Sequence, residues 1–368
     1  MILRGWMLTD EGGAPTHNPA WTYGTWQVAG GHLHPVEDTG PADLEGFFLP
    51  GFVDVHCHIG IGETGPVDEE EQRRQIHADL ASGVLLIRDC GSPVDTTWVN
   101  SEPDLPALIR CGQHIAREKR YIRGLARNVE PADLAQAVAQ QAARSNGWVK
   151  LVGDWIDRSG GAEADLEPLW PLPALKDAVS AAHEAGARVA VHAFSHRVID
   201  DLLEAGVDDI EHGTGMDANH MAEAAARGIA VTPTLLQVEL FNDFADQAGA
   251  KYPVYAATMR ALYEGRRDHS AALFDSGVTI LPGTDSGGYQ DHGCLGDELR
   301  AWADLGVDYE RILALATTGA RRYLGVAPEG EGALADVVFF RSDPRTNPAM
   351  WGRPDAVIRG GHVVAGGA

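Results

Sequence analysis

The stretch Leu49-Pro50-Gly51-Phe52-Val53-Asp54-Val55-His56-Cys57-His58 decides the fold of this 368-residue chain. The Pro-Gly pair ends the preceding segment, and the apolar residues after it predict a buried strand. Side chains two residues apart in a strand point to the same face, so His56 and His58 project together while Cys57 points away. Two imidazoles on one face predict one side of a metal site. A lone buried histidine is more often a core residue, so this hypothesis requires further ligands at the ends of later strands.

Composition limits the class of protein. At 368 residues the chain is long enough for one large barrel and a small extra domain. A hydrophobic content of 44% is ordinary for a globular protein. A net charge of -24 argues against binding to nucleic acid or to an anionic membrane. No run is long enough to cross a bilayer, and the start lacks a secretory apolar core, so we expect a cytoplasmic protein. The four cysteines form no C-x-x-C motif, which favours free thiols.

After the His56 strand, apolar strands alternate with helical segments, which is typical of a parallel sheet. The expected later strands are 84–90, 108–115, 148–153, 187–192, 208–213, 229–236 and 278–283. The expected helices between them include 68–81, 131–145, 172–185, 196–204 and 219–227. Eight strands with intervening helices predict an α/β fold of the (β/α)8 TIM-barrel type.

The two ends of the chain have a different pattern. Short alternating segments separated by Gly and Pro occupy residues 1–48, and short strands return at 335–340 and 356–359. We expect these ends to pair as a small β-sandwich domain made of residues 1–49 and 328–368. The barrel domain would then span residues 50–327.

Polar side chains follow the apolar runs where barrel strands end, which is where TIM barrels place their active sites. These residues are His56, His58, Lys150, His192, His212 and Asp285. Four imidazoles and a carboxylate suit Zn²⁺, with Fe, Mn or Co as alternatives. The ammonium of Lys150 has no lone pair for a metal, a conflict that is removed if the lysine reacts with CO₂ to form a carbamate. Taken alone, Lys150 is better explained as a lysine that extends from a strand end to solvent.

Several motifs in order carry a resemblance to a known family. They are 50–58, Arg88-Asp89, Val149-Lys150, Val191-His192-Ala193, Ile210-Glu211-His212-Gly213, Gly283-Thr284-Asp285 and Ala335-Asp336-Val337-Val338. Over essentially its whole length the chain resembles the amidohydrolase superfamily. It is most similar to the imidazolonepropionase-related, prolidase-like metallopeptidases with a binuclear centre.

This resemblance implies two divalent metal ions, most simply Zn²⁺. One would be held by His56, His58 and Asp285, and the other by His192 and His212. The carbamate of Lys150 and a hydroxide would bridge them, and Asp285 would carry the proton from the attacking hydroxide to the departing amine. The implied function is a metal-dependent hydrolase that cleaves an amide bond of a small molecule, such as a dipeptide or an N-acyl amino acid.

Three alternatives stay open. A mononuclear deaminase of the superfamily would carry a glutamate three residues after His192, where this chain has Ser195. A mononuclear cyclic-amide hydrolase such as imidazolonepropionase is disfavoured by the presence of Lys150. A catalytically inactive barrel scaffold would have lost ligands, and every ligand position is kept.

Substrate contacts are less clearly indicated. Prolidase-like relatives often have a tyrosine two residues after the fifth-strand histidine, where this chain has Phe194, which argues against a classical Xaa-Pro dipeptidase. With Phe194, the candidate substrate contacts are His114, Arg88 and Tyr121. The aromatic residues between Phe241 and Tyr263 would line a lid or pack in a core, and we interpret Arg123 as surface charge. Relatives often associate through barrel faces, which makes a homo-oligomer plausible.

Overall fold

The computed structural model describes residues 1–9, 20–37, 40–326 and 333–367. Its strands are β1 (Ile2–Thr9), β2 (Ala20–Ala29), β3 (His32–Pro35), β4 (Leu44–Pro50), β5 (Phe52–Cys57), β6 (Ile61–Gly62), β7 (Gly65–Pro66), β8 (Val84–Asp89), β9 (Ala107–Arg110), β10 (Ile115–Arg117), β11 (Arg127–Val129), β12 (Trp148–Val152), β13 (Asp154–Ile156), β14 (Leu166–Pro168), β15 (Arg188–Ala193), β16 (Asp209–His212), β17 (Ala230–Thr232), β18 (Thr279–Ile280), β19 (Val337–Phe340), β20 (Ala356–Arg359) and β21 (His362–Gly366). Its α-helices are α1 (Glu69–Ala81), α2 (Leu134–Ala142), α3 (Leu172–Glu184), α4 (His196–Ala205), α5 (Ala218–Arg227), α6 (Leu235–Glu239), α7 (Phe241–Ala248), α8 (Pro253–Asp275), α9 (Leu295–Asp304), α10 (Tyr309–Ala314) and α11 (Ala320–Leu324). The fold is therefore mixed α/β.

The two chain ends share one seven-stranded sheet, in the order β21-β20-β19-β4-β1-β2-β3. Strand β19 pairs antiparallel with β4, with Val338 opposite Leu49, so the expected pairing of the ends is present. A two-layered sandwich and domain boundaries at 49/50 and 327/328 stay predictions. Gly51 alone separates β4 from β5, so this terminal sheet leads directly into the strand that carries His56.

Parallel strands form the rest of the described β-structure that positions the site. One sheet has the order β5-β8-β9, and a second has the order β11-β10-β12-β15-β16-β17-β18. Hydrogen bonds connect them at both sides: Asn146 N–H donates to Arg110 O over 2.9 Å, and Val55 N–H donates to Pro282 O over 2.8 Å. Because the strands run parallel, their carboxyl ends lie at one edge.

The apolar character of these strands follows from burial on both faces. Every residue of β5, β8 and β12 is buried, as expected for parallel strands covered by helices. Helix α1 illustrates how the surrounding helices begin: Asp68 is its N-cap, and Oδ1 accepts from Glu71 N–H over 3.0 Å. The predicted helices are present, although 131–145 is a 3₁₀ turn at Pro131–Asp133 followed by α2.

Two predicted strands were wrong in extent. The expected strand 108–115 is divided into β9 and β10, with His114 in the connection between them. The expected strand 229–236 ends at Thr232, because Pro233 has no N–H for the ladder and Thr234 adopts φ 45°. Helix α6 follows instead. Among the described residues, no helix combines the length and the apolar character needed to cross a bilayer.

Candidate metal centre

His56 and His58 meet at the end of β5 as their spacing predicts. Both side chains are buried, and His58 Nδ1 donates to Gly91 O over 2.8 Å. In the neutral tautomer this leaves a lone pair on His58 Nε2. That atom lies 3.4 Å from Asp285 Oδ1, and His56 Nε2 lies 3.0 Å from the same oxygen. A lone pair that faces a carboxylate oxygen requires a cation or a proton, so the geometry suits a metal ion.

A buried network holds Asp285 beside the two histidines. Its backbone N–H donates to His56 O over 2.7 Å, and Asp54 accepts from the Thr284 hydroxyl over 2.7 Å. Gly283 makes this approach possible, because a Cβ at that position would lie 2.7 Å from the His56 Cβ. Burial raises the pKa of Asp54 to about 7, with the nearby Asp79 adding to the shift. The Asp285 loop is thus fixed to the end of β5.

His192 and His212 form the second pair. His192 Nδ1 lies 3.1 Å from His212 Nε2, and His212 Nδ1 lies 2.6 Å from the hydroxyl of Thr234. When the imidazole donates to Thr234, both facing nitrogens are free to bind one cation. Asp154 fixes the end of β15, the strand that carries His192, because its carboxylate accepts from the N–H groups of Phe194 and Ser195. Burial raises the pKa of Asp154 to about 6.

Lys150 is buried in β12, and its ammonium contacts the carboxylate of Glu211. The same carboxylate accepts from Cys90 Sγ over 3.0 Å and lies 3.5 Å from Arg88 Nη2. Burial lowers the pKa of Lys150 below its ordinary value. Sequence reasoning missed the role of Glu211, for which the available signal was a carboxylate directly before His212 in a buried strand.

Backbone strain is concentrated at this site. The described residues include four non-glycine positions with positive φ, namely Lys119, His212, Thr234 and Asp285. His212 has φ 65° and Asp285 has φ 58°, so two predicted ligands occupy a conformation that L-residues rarely adopt. Such conformations persist where surrounding contacts enforce them, and they cluster at functional sites.

The pKa shifts at the site leave the metal-binding atoms of His56 and Asp285 unprotonated at pH 7. Burial lowers the pKa of His56 to about 3, so its imidazole is neutral at pH 7. Burial alone would raise the pKa of Asp285, but contacts with His56 and His58 hold it well below its ordinary value. His56 Nδ1 and His192 Nε2 are buried without a hydrogen-bond partner among the described residues. Ligand atoms of His56, His212 and Asp285 lie within 4.8 Å of one another, and these donors fit a divalent metal.

The site opens into a cavity with a volume of about 160 Å³. Five of the six predicted ligands line it: His56, His58, Lys150, His192 and Asp285. His212 lies outside the lining, although its Nε2 faces His192.

The four predicted substrate contacts separate into two groups. Tyr121 and Phe194 line the cavity. His114 is outside the lining, with its ring 5.6 Å from that of His58. Arg88 is also outside, fully buried against Asp209 and the Trp148 ring. Arg123 is exposed, as the sequence indicated, and it also lines the cavity.

A buried histidine, lysine and aspartate constellation at the carboxyl ends of parallel strands is typical of metal-dependent hydrolases. The sequence profile of the amidohydrolase family matches residues 47–364, and the chain belongs to this family. The resemblance inferred from the motifs is confirmed, and membership supports a hydrolase that acts on C–N bonds. The family generally uses a divalent metal.

Relatives in sequence and in fold extend over most of the chain. Uncharacterized proteins of Mycobacterium tuberculosis and Mycobacterium bovis are 45% identical over 319 residues, which cover 86% of this chain and 85% of theirs. A Xaa-Pro dipeptidase with bound methionine has a TM-score of 0.80 at 20% identity, with 98% of each chain covered. Aspergillus niger ochratoxinase has a TM-score of 0.78 at 17% identity, covering 99% of this chain and 95% of its own. The chain therefore shares its fold with TIM-barrel amidohydrolases.

Proposed function

We propose that this protein is a binuclear metal-dependent amidohydrolase that cleaves an amide of a small molecule, such as a dipeptide or an N-acyl amino acid. One observation carries the proposal: His56 and His58 converge on Asp285 while His192 Nδ1 lies 3.1 Å from His212 Nε2. We further propose that the two parallel sheets close into one (β/α)8 barrel around this centre.

In this proposal one divalent ion, best matched by Zn²⁺, is held by His56, His58 and Asp285. His192 and His212 hold the second. Bound metals would supply hydroxide near neutral pH and polarise the scissile carbonyl. Asp285 takes the proton from the attacking water and delivers it to the departing amine. The rings of Tyr121 and Phe194, which line the cavity, exclude water around the bound acyl group.

Carboxylation of Lys150 supplies the bridging anion in this scheme. The neutral Nζ forms a bond to the carbon of CO₂, and the nitrogen loses one proton. The carboxylate of Glu211 contacts Nζ and can accept that proton. Burial of Lys150 favours the neutral amine that this step requires.

The three alternative functions, a deaminase, a mononuclear cyclic-amide hydrolase and an inactive scaffold, each require different residues at this site. A deaminase of the superfamily requires a glutamate three residues after His192, and that position is Ser195, whose Oγ is buried without a hydrogen-bond partner among the described residues. A mononuclear cyclic-amide hydrolase requires no modified lysine. An inactive scaffold requires a missing ligand, whereas His56, His58, Lys150, His192 and Asp285 share one cavity.

Metal content per chain tests the proposal. Elemental analysis of protein purified without chelator should give two divalent ions, and native mass spectrometry should show the added mass of one CO₂. Lys150→Gln should lose the adduct and retain at most one ion. Lys176→Gln, which alters a lysine paired with Glu204 at the surface, is the matched control and should retain both. One ion without an adduct would instead support the mononuclear alternatives, and no metal would support the scaffold.

A further inference from the structure

Gln237 is a polar residue that the proposed chemistry does not use. It lies in α6, directly after the segment whose Thr234 contacts His212, and its side chain lines the cavity beside the metal centre. Only 7% of the residue is exposed, and its Oε1 has no hydrogen-bond partner among the described residues. Buried amide oxygens are nearly always hydrogen-bonded, so this oxygen lacks a partner that a ligand can provide.

The surrounding structure holds Gln237 in place. Glu298 accepts from Leu235 N–H over 2.8 Å and from Leu236 N–H over 2.9 Å. Gln290 Nε2 donates to Leu236 O over 3.0 Å. The first two residues of α6 are thus tied to neighbouring segments. The backbone that carries Gln237 is therefore fixed before a ligand arrives, which favours selective binding.

The rest of the cavity wall indicates the form of that ligand. Tyr121, Trp155, Phe194 and Phe244 line it, and the Tyr121 and Trp155 rings pack 4.7 Å apart. Trp155 Nε1 is a second buried polar atom without a partner among the described residues. The wall therefore offers aromatic surface for a planar apolar group, an amide oxygen that accepts, and an indole N–H that donates.

We infer that the cavity selects substrates whose amide nitrogen carries a hydrogen, which donates to Gln237 Oε1, and that it discriminates against tertiary amides such as the Xaa-Pro bond. The inference rests on the proposed function and names its substrate class: secondary amides with an aromatic or other planar acyl group. A site that hydrogen-bonds a substrate N–H rejects the analogue without it, because its own polar atom is then left buried and unpaired.

A pair of non-hydrolysable probes tests this selectivity on the metal-loaded enzyme. N-(phenylphosphonyl)glycine carries the N–H, and its N-methyl counterpart lacks it. Calorimetry should show that the wild type binds the N–H probe at least about tenfold more tightly. Gln237→Met should bring the two dissociation constants to within about twofold of each other. Leu125→Met alters another buried residue of the cavity wall and should keep the wild-type preference.

Hydrolysis of N-benzoylglycine and N-benzoyl-N-methylglycine separates this inference from the proposed function. A probe preference that depends on Gln237, without turnover of any amide, would support the inference and count against the hydrolase. Turnover of both amides with equal probe affinities would overturn the inference and leave the hydrolase in place. The inference would also be overturned if the ratio of the two dissociation constants were the same in the wild type and Gln237→Met, or if neither probe bound.

Discussion

The ammonium of Lys150 contacts the carboxylate of Glu211 in a part of the protein closed to solvent, where Lys150 is 3% exposed and Glu211 is 0% exposed. Cys90 and Arg88 approach the same carboxylate. Glu211 therefore joins the predicted metal-bridging lysine to the buried Arg88, which itself contacts Asp209. Removing one member of such a group leaves an uncompensated buried charge.

Glu211→Gln should lower the free energy of unfolding by about 3 kcal/mol, because the buried Arg88 guanidinium loses one of its two carboxylate partners away from water. It should also reduce carboxylation of Lys150, since the neighbouring proton acceptor is gone. Denaturant unfolding and native mass spectrometry measure the two effects. The control is Glu204→Gln, whose half-exposed partner Lys176 lies 3.2 Å away, and it should change stability by less than about 1 kcal/mol. Equal effects of the two substitutions would contradict the role given to Glu211.

Thr234→Val should weaken metal binding about 10- to 100-fold, because His212 Nδ1 loses the hydroxyl that orients its ring. Valine keeps the branched Cβ at a position with φ 45°, so the backbone strain is similar. Competition with a chromophoric chelator measures the affinity. Thr234→Ser restores the hydroxyl and should recover most of it. Unchanged affinity in the valine variant would show that Thr234 does not position His212.

The period-2 rule was enough to predict that His56 and His58 lie together, although β5 ends at Cys57 and His58 N–H donates to Ser286 O instead. The ends of strands likewise identified Lys150, His192, His212 and Asp285 as neighbours. The left-handed backbone at His212 and Asp285 could not be predicted, since it depends on contacts from distant segments such as Asp54 with Thr284.

Charged residues inside strands were the main omission at the site. Glu211 and Asp154 act through partners far away in sequence, so local pattern did not reveal them. The end of β17 was predictable in principle, because Pro233 breaks a ladder. Arg123 is exposed, as predicted, but the sequence pattern could not show that it also lines the cavity.

Glu298→Gln should change how stability depends on pH. Burial raises the pKa of Glu298 to about 7 in the folded protein, against 4.5 as its ordinary value. Between these values the unfolded chain ionises while the folded protein keeps the proton, so wild-type stability falls as pH rises from about 4.5 to 7. At ~1.4 kcal/mol per pH unit, the fall is about 3 kcal/mol. Glu298→Gln has no ionisable group at this position, so its free energy of unfolding should not show this fall.

Denaturant unfolding of both proteins between pH 4.5 and pH 8 measures the difference. Trp302→Phe provides an independent check, because Trp302 Nε1 donates to Glu298 Oε1 over 2.8 Å and stabilises the carboxylate. Loss of this hydrogen bond should raise the pKa of Glu298 further, so the fall in stability should continue to higher pH. Parallel profiles for the wild type and Glu298→Gln would contradict the prediction.

Phe194→Tyr tests why this cavity differs from that expected of a Xaa-Pro dipeptidase. The Phe194 ring lines the cavity and packs 4.3 Å from the His192 ring and 4.6 Å from the Phe241 ring. A tyrosine hydroxyl there would add a donor for a substrate carboxylate. Affinity for N-benzoylglycine should then rise about fivefold, the effect of one hydrogen bond of ~1 kcal/mol. N-benzoylglycinamide, which has no carboxylate, should show no such gain. Phe244→Tyr, in the same cavity wall, is the matched control. If Phe194→Tyr gained equal affinity for N-benzoylglycine and N-benzoylglycinamide, the new hydroxyl would not contact the carboxylate.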